Sequence, residues 1–298
     1  MKNLYPNDPT KAALNSLLLD TAMAQCQPIV WPAGDVYLAR TAVTPATVGC
    51  GRWDFQTAGG YAIDPTPQWG KIGTRIICAN GPALRIRGAG FVLNGPVEIV
   101  GDGKSDAIQI EGRSNPATGR HTFRGIIFRN WGCALHCLAE PEEQHADNSK
   151  VYDCETANVG TVFASDNQQA VNWYFGGLVV NNLNGPADQL VCDLRRGGLV
   201  TIDRLVCCHP RVTVFQVRDF SPHTCRLICR DLEFDRFDFG GCYLTALKYA
   251  GPAKPEEWRH WFVDVDGFVC MKLPKDKLID APESFNRQNI TVNIRTLY

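Results

Sequence analysis

A chain of 298 residues, 45% hydrophobic and 20% charged, can bury a sizeable core as one large domain or two small ones. Lys and Arg (30) nearly balance Asp and Glu (31), leaving a formal net charge of -1, and no basic run stands out, so nucleic acid is not an expected partner. No run approaches the roughly 18 apolar residues of a membrane span, and MKNLYPNDPT lacks the apolar core of a secretory signal; no membrane is expected, and the expected location is the cytoplasm.

The 13 cysteines are an odd number, and with no signal visible they read as free thiols in a reducing compartment. The closest groupings are Cys133 with Cys137, Cys225 with Cys229, and Cys207 next to Cys208 and His209. Strand residues four apart are separated by roughly 13 Å, too far to grip one zinc ion. Buried, inert cysteines are expected, with no metal or other cofactor.

In chain order, residues 10–24 predict a helix. Thr10 is placed to cap it, and Ala13, Leu14, Leu17, Leu18 and Thr21 form one stripe at spacings of three and four. The stretch IVWPAGDVYLAR (29–40) then turns on Pro32 and Gly34 between two short strands. From there to the end, β-rich runs of four to seven residues alternate with Gly, Asn, Asp and Pro. ALRIRG, FVLNGPVEIV and AIQIEG come first, and GDGKS between the last two reads as a turn, not a phosphate loop.

A repeat then becomes countable. Starts at Ile126, Val151, Leu178, Leu205 and Leu232 align IIFRN, VYDCE, LVVNN, LVCCH and LEFDR, with columns one and three inward. A second set holds CALHCL, TVFASD, QLVCDL, VTVFQV and CYLTAL; a third includes TFRG, NWYFG, LVTID, CRLICR and HWFVDV. Three strands per step of about 26 residues describe one coil of a parallel β-helix, whose equivalent strands stack at about 4.8 Å. Such a stack needs a cap on its first coil, and 10–24 is placed to supply it. Asp153 falls in an inward column, where an isolated ion is costly, and a one-residue slip that buries Tyr152 and Cys154 removes the cost. In the second set neither parity is cleanly apolar, so the orientation of His136 and Asp193 stays open.

WPAGDVY (31–37) after a helix, AIQIEG after GDGKSD, and the stacked runs from Ile126 onward resemble the right-handed parallel β-helix proteins of the pectate lyase and pectin lyase-like superfamily, phage tailspikes included. The resemblance spans nearly the whole chain. It implies an all-β, single-stranded right-handed parallel β-helix with an N-terminal α-helical cap: one domain over 1–298, cap at 10–24, roughly nine coils over 29–298. Members of that superfamily cleave acidic polysaccharides by lyase chemistry or glycosidic bonds with paired carboxylates, and others only bind sugars. If the source is a phage, the resemblance implies a virion protein or one released by lysis. The Asp-Asp pair and Gly-His-Gly of the polygalacturonase-like set are absent, and no calcium-binding Asp set with a catalytic Arg is matched, so calcium has no support in the sequence.

Two groups of candidate residues remain. In RDLEFDRFDF (230–239), Asp231, Glu233 and Asp235 read as an outward acidic stripe at about 6.6 Å spacing, near the carboxyl separation of inverting glycosidases. Glu233 and Asp235 are the catalytic candidates; the competing reading is a cross-strand ladder, with Asp203 beside Arg230 and Arg204 beside Asp231. The long turns at 139–148 and 248–260 are expected to wall a groove holding Asp166, Arg195, Arg196, Arg218 and Asp219, and His145, Arg195, Arg218, Tyr249, Trp258 and His260 are its expected sugar contacts. The expected function is binding, and through Glu233 and Asp235 cleavage, of a polysaccharide by a lyase or hydrolase reaction. The alternative is a non-catalytic structural or adhesive module, tailspike-like, forming a homo-oligomer or surface assembly.

Overall fold

The structure is a computed structural model and describes residues 4–55, 73–112, 118–139, 145–181, 188–218, 225–234, 243–251, 261–269, 275–282 and 289–296. Alternation of small apolar and polar residues puts every second side chain of a strand inward, and here the inward positions stack from coil to coil. Val36, Ile76, Ile99, Phe128, Thr156, Val180, Cys207, Phe234 and Val269 form one such column, each paired with the next in parallel register and all buried. Ile29, Trp53, Leu93, Phe123, Val151, Phe175, Ile202, Cys229 and Val265 form a second. Each fully buried Val, Leu or Phe contributes about 1.5–3 kcal/mol by leaving water.

These columns close into a parallel β-helix of about seven turns behind an N-terminal helix. Its right hand is the sense in which parallel strands are almost always connected. Coil length varies: Gly34 pairs with Thr74, a step of 40, and Leu247 with Ile279, a step of 32. The opening corner is as expected. Ile29–Trp31 and Gly34–Leu38 are separate strands of the first coil, and Gly34 turns with φ 104°.

Three faces make up each coil. In the middle of the molecule they run 122–124, 126–129 and 133–138, and Thr122–Leu138 crosses all three as one strand. Single residues with positive φ make the corners. Between the first and second sheets stand Gly125, Asp153, Gly177, Arg204 and Asp231. Between the second and third are Asn130 and Asn158, whose amides stack at 2.6 Å, and Asn148 and Asn172 repeat that ladder where the third sheet returns to the first, at 3.2 Å.

This corner corrects the repeat. Cys154, not Val151, stacks between Ile126 and Leu178, so the alignment is displaced by three residues there and not by one. Cys154 is buried as anticipated, but Tyr152 lies on the outer face against Arg124 and Tyr174, and Asp153 is the exposed corner residue.

The helix also turns a different face inward. A 3-10 turn, Pro9–Lys11, starts at Asp8, whose carboxylate accepts from the Thr10 N–H, and the α-helix follows over Ala12–Ala24. Its buried residues are Asn15, Ser16, Leu19 and Met23, whereas Leu14 and Leu17 are exposed. The reason is the open edge of the first coil, whose backbone groups have no preceding strand. Asn15 Nδ2 donates to the Tyr37 carbonyl (3.2 Å), and Ser16 Oγ accepts from the Ala39 N–H (3.0 Å). Polar side chains here outrank an apolar stripe because buried backbone groups must be satisfied.

The third sheet explains its mixed parity. Pairing skips one residue in each coil, and at that kink two consecutive side chains face the core: Ala107 and Ile108, Ala134 and Leu135, Val162 and Phe163, Val191 and Cys192, Val214 and Phe215, Ala246 and Leu247. The parity inverts there, so the next residue points outward. Among the described residues the cysteines are free and mostly buried. Burial pushes the Cys78 and Cys154 thiols up to about 12 and raises those of Cys133, Cys137, Cys192, Cys207 and Cys229. Among the described residues no cluster of His, Cys, Asp and Glu is arranged to hold a metal.

Candidate functional site

Beyond the kink, one residue per coil faces outward in register: Arg85, Gln109, His136, Ala164, Asp193, Gln216, Lys248 and Asp280. At about 4.8 Å per step this column is on the order of 34 Å long and runs parallel to the solenoid axis. Its centre is a continuous chain of polar contacts that draws on neighbouring positions. Arg85 donates to Gln109 Oε1 (3.1 and 2.7 Å), and Gln109 Nε2 donates to Asp106 Oδ2 (2.9 Å). His136 then bridges two coils, with Nδ1 2.8 Å from Asp106 Oδ2 and Nε2 2.9 Å from Asp166 Oδ2.

The chain continues through arginine. Arg195 Nη1 donates to Asp166 (3.0 Å) and its Nε to Asp193 Oδ2 (3.4 Å). Asp193, whose side chain is 3% exposed, accepts from four groups: Gln216 Nε2 at 2.9 Å, Arg218 Nε and Nη2 at 3.0 Å each, and Arg195. The guanidiniums of Arg195 and Arg218 stay 46% and 44% exposed. A buried carboxylate thus anchors two cationic side chains that remain nearly half exposed.

The electrostatics follow from these partners. Burial opposes a charge on His136, but Asp106 and then Asp166 outweigh it and raise its pKa above the ordinary value. Burial alone would lift Asp106, yet hydrogen bonds from His136 and Gln109 hold its carboxyl below the usual range. Burial likewise works against Arg195, and the charges of Asp166 and Asp193 more than compensate. As an imidazolium, His136 spends both N–H groups on these carboxylates. A general base needs one ring nitrogen turned to substrate, so this histidine is a cross-link in its present geometry.

The expected site residues divide. Arg195 and Arg218 come together on Asp193. His145 is exposed and leads into Ala146–Asp147, which pairs with Thr118–Gly119 at a corner. Tyr249 does not face the groove: it stacks beside Val217 in an inward column and is 8% exposed. Glu233 lies on the second sheet, between Val206 and Phe268 in its column, on a different face from the two arginines. Asp231 is an exposed corner residue with φ 51°, so the strand bends before Glu233. Of the two expected ladder pairs, Asp203 and Arg230 do stand beside each other, 3.5 Å apart. Asp219, Asp235, Trp258 and His260 lie outside the described residues, as do 140–144 and 252–260 of the two expected walls.

Sequence reasoning placed Asp166 and the arginines on the rim but left His136 and Asp193 unoriented and passed over Asp106, Gln109 and Gln216. A signal existed: Asp106, His136 and Asp166 are spaced by 30 residues each, about one coil apart.

No family model matches the chain, and no curated protein does. Among solved structures it is similar to the catalytic domain of a GH87 alpha-1,3-glucanase in complex with tetrasaccharides, at 11% identity and a TM-score of 0.36, over 98% of this chain and 68% of that one.

Proposed function

We propose that the protein binds a linear glycan along the outer face of its third sheet. The observation that carries this reading is Asp193, a saturated buried carboxylate that fixes two half-exposed guanidiniums side by side. Guanidiniums held in a plane donate in pairs to carboxylate or vicinal hydroxyl oxygens and lose little entropy on doing so. The column offers a polar side chain at most coils, so a chain laid along it meets a donor or acceptor at intervals near one sugar unit.

Cleavage is the finer part of the reading, and the pairing of charges weighs against it on this face. Each carboxylate of the chain from Asp106 to Asp193 is engaged by at least one cationic side chain, and the Asp106 carboxyl is held below the usual range, away from that of a general acid. This favours, as second reading, a non-catalytic adhesive or structural module whose exposed charged face meets a partner surface.

A glycan array separates the readings. The wild type is expected to bind at least one polysaccharide, and the Arg195→Ala, Arg218→Ala variant to bind it at least tenfold more weakly. Reducing-sugar and unsaturated-product assays on each hit are expected to stay silent. Product that disappears in Glu233→Ala would make the protein an enzyme, and absence of binding to every glycan would leave the structural module.

A further inference from the structure

A pocket of about 210 Å³ lies at the C-terminal end of the same sheet, lined by Asp188, Leu190, Thr213, Tyr243, Thr245, Lys248, Asp276, Lys277 and Asp280. Three of these, Leu190, Thr213 and Thr245, are consecutive members of one column, and Lys248 and Asp280 are the last paired members of the column that carries Asp193. The 3-10 turn Lys275–Lys277 and the strand Ile279–Asp280 bring Asp276, Lys277 and Asp280 against them. The backbone holds this closure in place, since the Ala246 and Leu247 N–H groups both donate to the Leu278 carbonyl at 2.9 and 3.3 Å. On the opposite wall Tyr243 donates its hydroxyl to Asp188 Oδ1 at 2.7 Å, fixing both side chains.

We infer that this pocket seats a single neutral sugar ring, one unit of a chain that lies along the Asp193 column. The inference rests on the glycan reading for the chain that leads in, though not for the pocket itself. Size sets the first limit, because the volume is below the roughly 300–1,000 Å³ of pockets for drug-sized ligands. Lining chemistry sets the second. Carboxylates of Asp188, Asp276 and Asp280 accept from ligand hydroxyls, Lys248 and Lys277 donate, and the threonine hydroxyls do either. With Arg211 3.7 Å from Asp188, the three carboxylates are balanced by three cations, and a pocket without net charge suits a neutral sugar better than an anionic one. The side chain of Leu190 offers a small apolar patch, as the C–H face of a hexose requires.

Saturation-transfer NMR with glucose, galactose, mannose, N-acetylglucosamine and glucuronic acid, each at millimolar concentration, tests this directly. At least one neutral sugar should give signal with the wild type, and glucuronic acid should give none. Thr213→Phe, which fills the pocket, and Lys248→Met, which keeps its shape, should each reduce the signal at least tenfold. Arg230→Ala, in an exposed ion pair with Asp203 on another sheet, should leave it unchanged. Thermal melts identify a misfolded Thr213→Phe chain, and Lys248→Met then decides alone. No neutral sugar bound by the wild type, or equal signal in a folded pocket variant, overturns the inference. Polysaccharide binding that survives such a failure leaves the glycan reading standing; sugar binding without polysaccharide binding overturns that reading and keeps the pocket.

Discussion

Two charged columns run along neighbouring outer faces of the solenoid, and they resolve the same problem differently. On the third sheet, buried Asp193 receives two arginines and a glutamine. On the second, Arg75, Glu98, Ile127, Glu155 and Val179 stack in one column, and Glu98 and Glu155 are both buried. Arg129 forms an ion pair with Glu98 and must also serve Glu155, while Arg75 is engaged bidentately by Asp35 (2.8 and 2.7 Å). The consequence is at Glu155: burial pushes its carboxyl up to about 8, against Arg129 and an Asn181 hydrogen bond and with the help of Glu98. Burial is common to both columns. What differs is the balance at the carboxylate: at Glu155 burial outweighs the partners that would keep it ionised.

Removing the better-supplied carboxylate should have the largest effect. Asp193→Ala strands two guanidiniums that water can partly rescue, so a loss of about 3 kcal/mol, at the lower end for a broken buried pair, is expected in urea unfolding. A change under 1 kcal/mol would mean that the two columns do not differ in the way described. Glu155→Gln should act in the opposite direction and only at higher pH. Its folded pKa is raised, so its contribution is fully present below the ordinary value of 4.5 and is lost as pH rises toward about 8. Melting curves of the variant should therefore match wild type near pH 4.5 and exceed it at pH 8 by more than about 1.4 kcal/mol, the equivalent of one pKa unit. Identical pH profiles would place Glu155 among ordinary carboxylates. The smallest effect is expected at Arg230→Ala, whose ion pair with Asp203 is exposed on both sides: at most about 1 kcal/mol, and less in high salt.

The fold was legible because stacking makes each coil repeat the inward pattern of the last, and from Ile126 onward that pattern recurs at nearly constant steps. It failed locally where a single corner residue carries no side-chain signature. Gly125, Asp153, Gly177, Arg204 and Asp231 occupy one corner with five residues of three types. A column reading assigns such a residue to a face, and so the one-residue slip that frees Asp153 from the inside also buries Tyr152, which the structure leaves on the outer face. The candidate site was less legible for two reasons. Its members come from separate coils and meet only when the register is known to the residue. The kink at 134–135 and its equivalents also inverts the parity, and it is this inversion that turns His136 and Asp193 outward. Arg195 and Arg218 were found because they sit at strand ends, where the kink has no further effect. The helix face was misread for a third reason: Asn15 and Ser16 serve backbone groups of the first coil, a demand that no hydrophobic stripe reveals.

The buried thiols turn the solenoid into a record of its own opening. Cys50, Cys78, Cys137, Cys154, Cys192, Cys207 and Cys229 are spread along the axis, free and shielded, with burial disfavouring the reactive thiolate. Alkylation at each position then dates the exposure of its own turn, and pulse labelling read by peptide mass would tell unravelling from one end apart from a break in the middle.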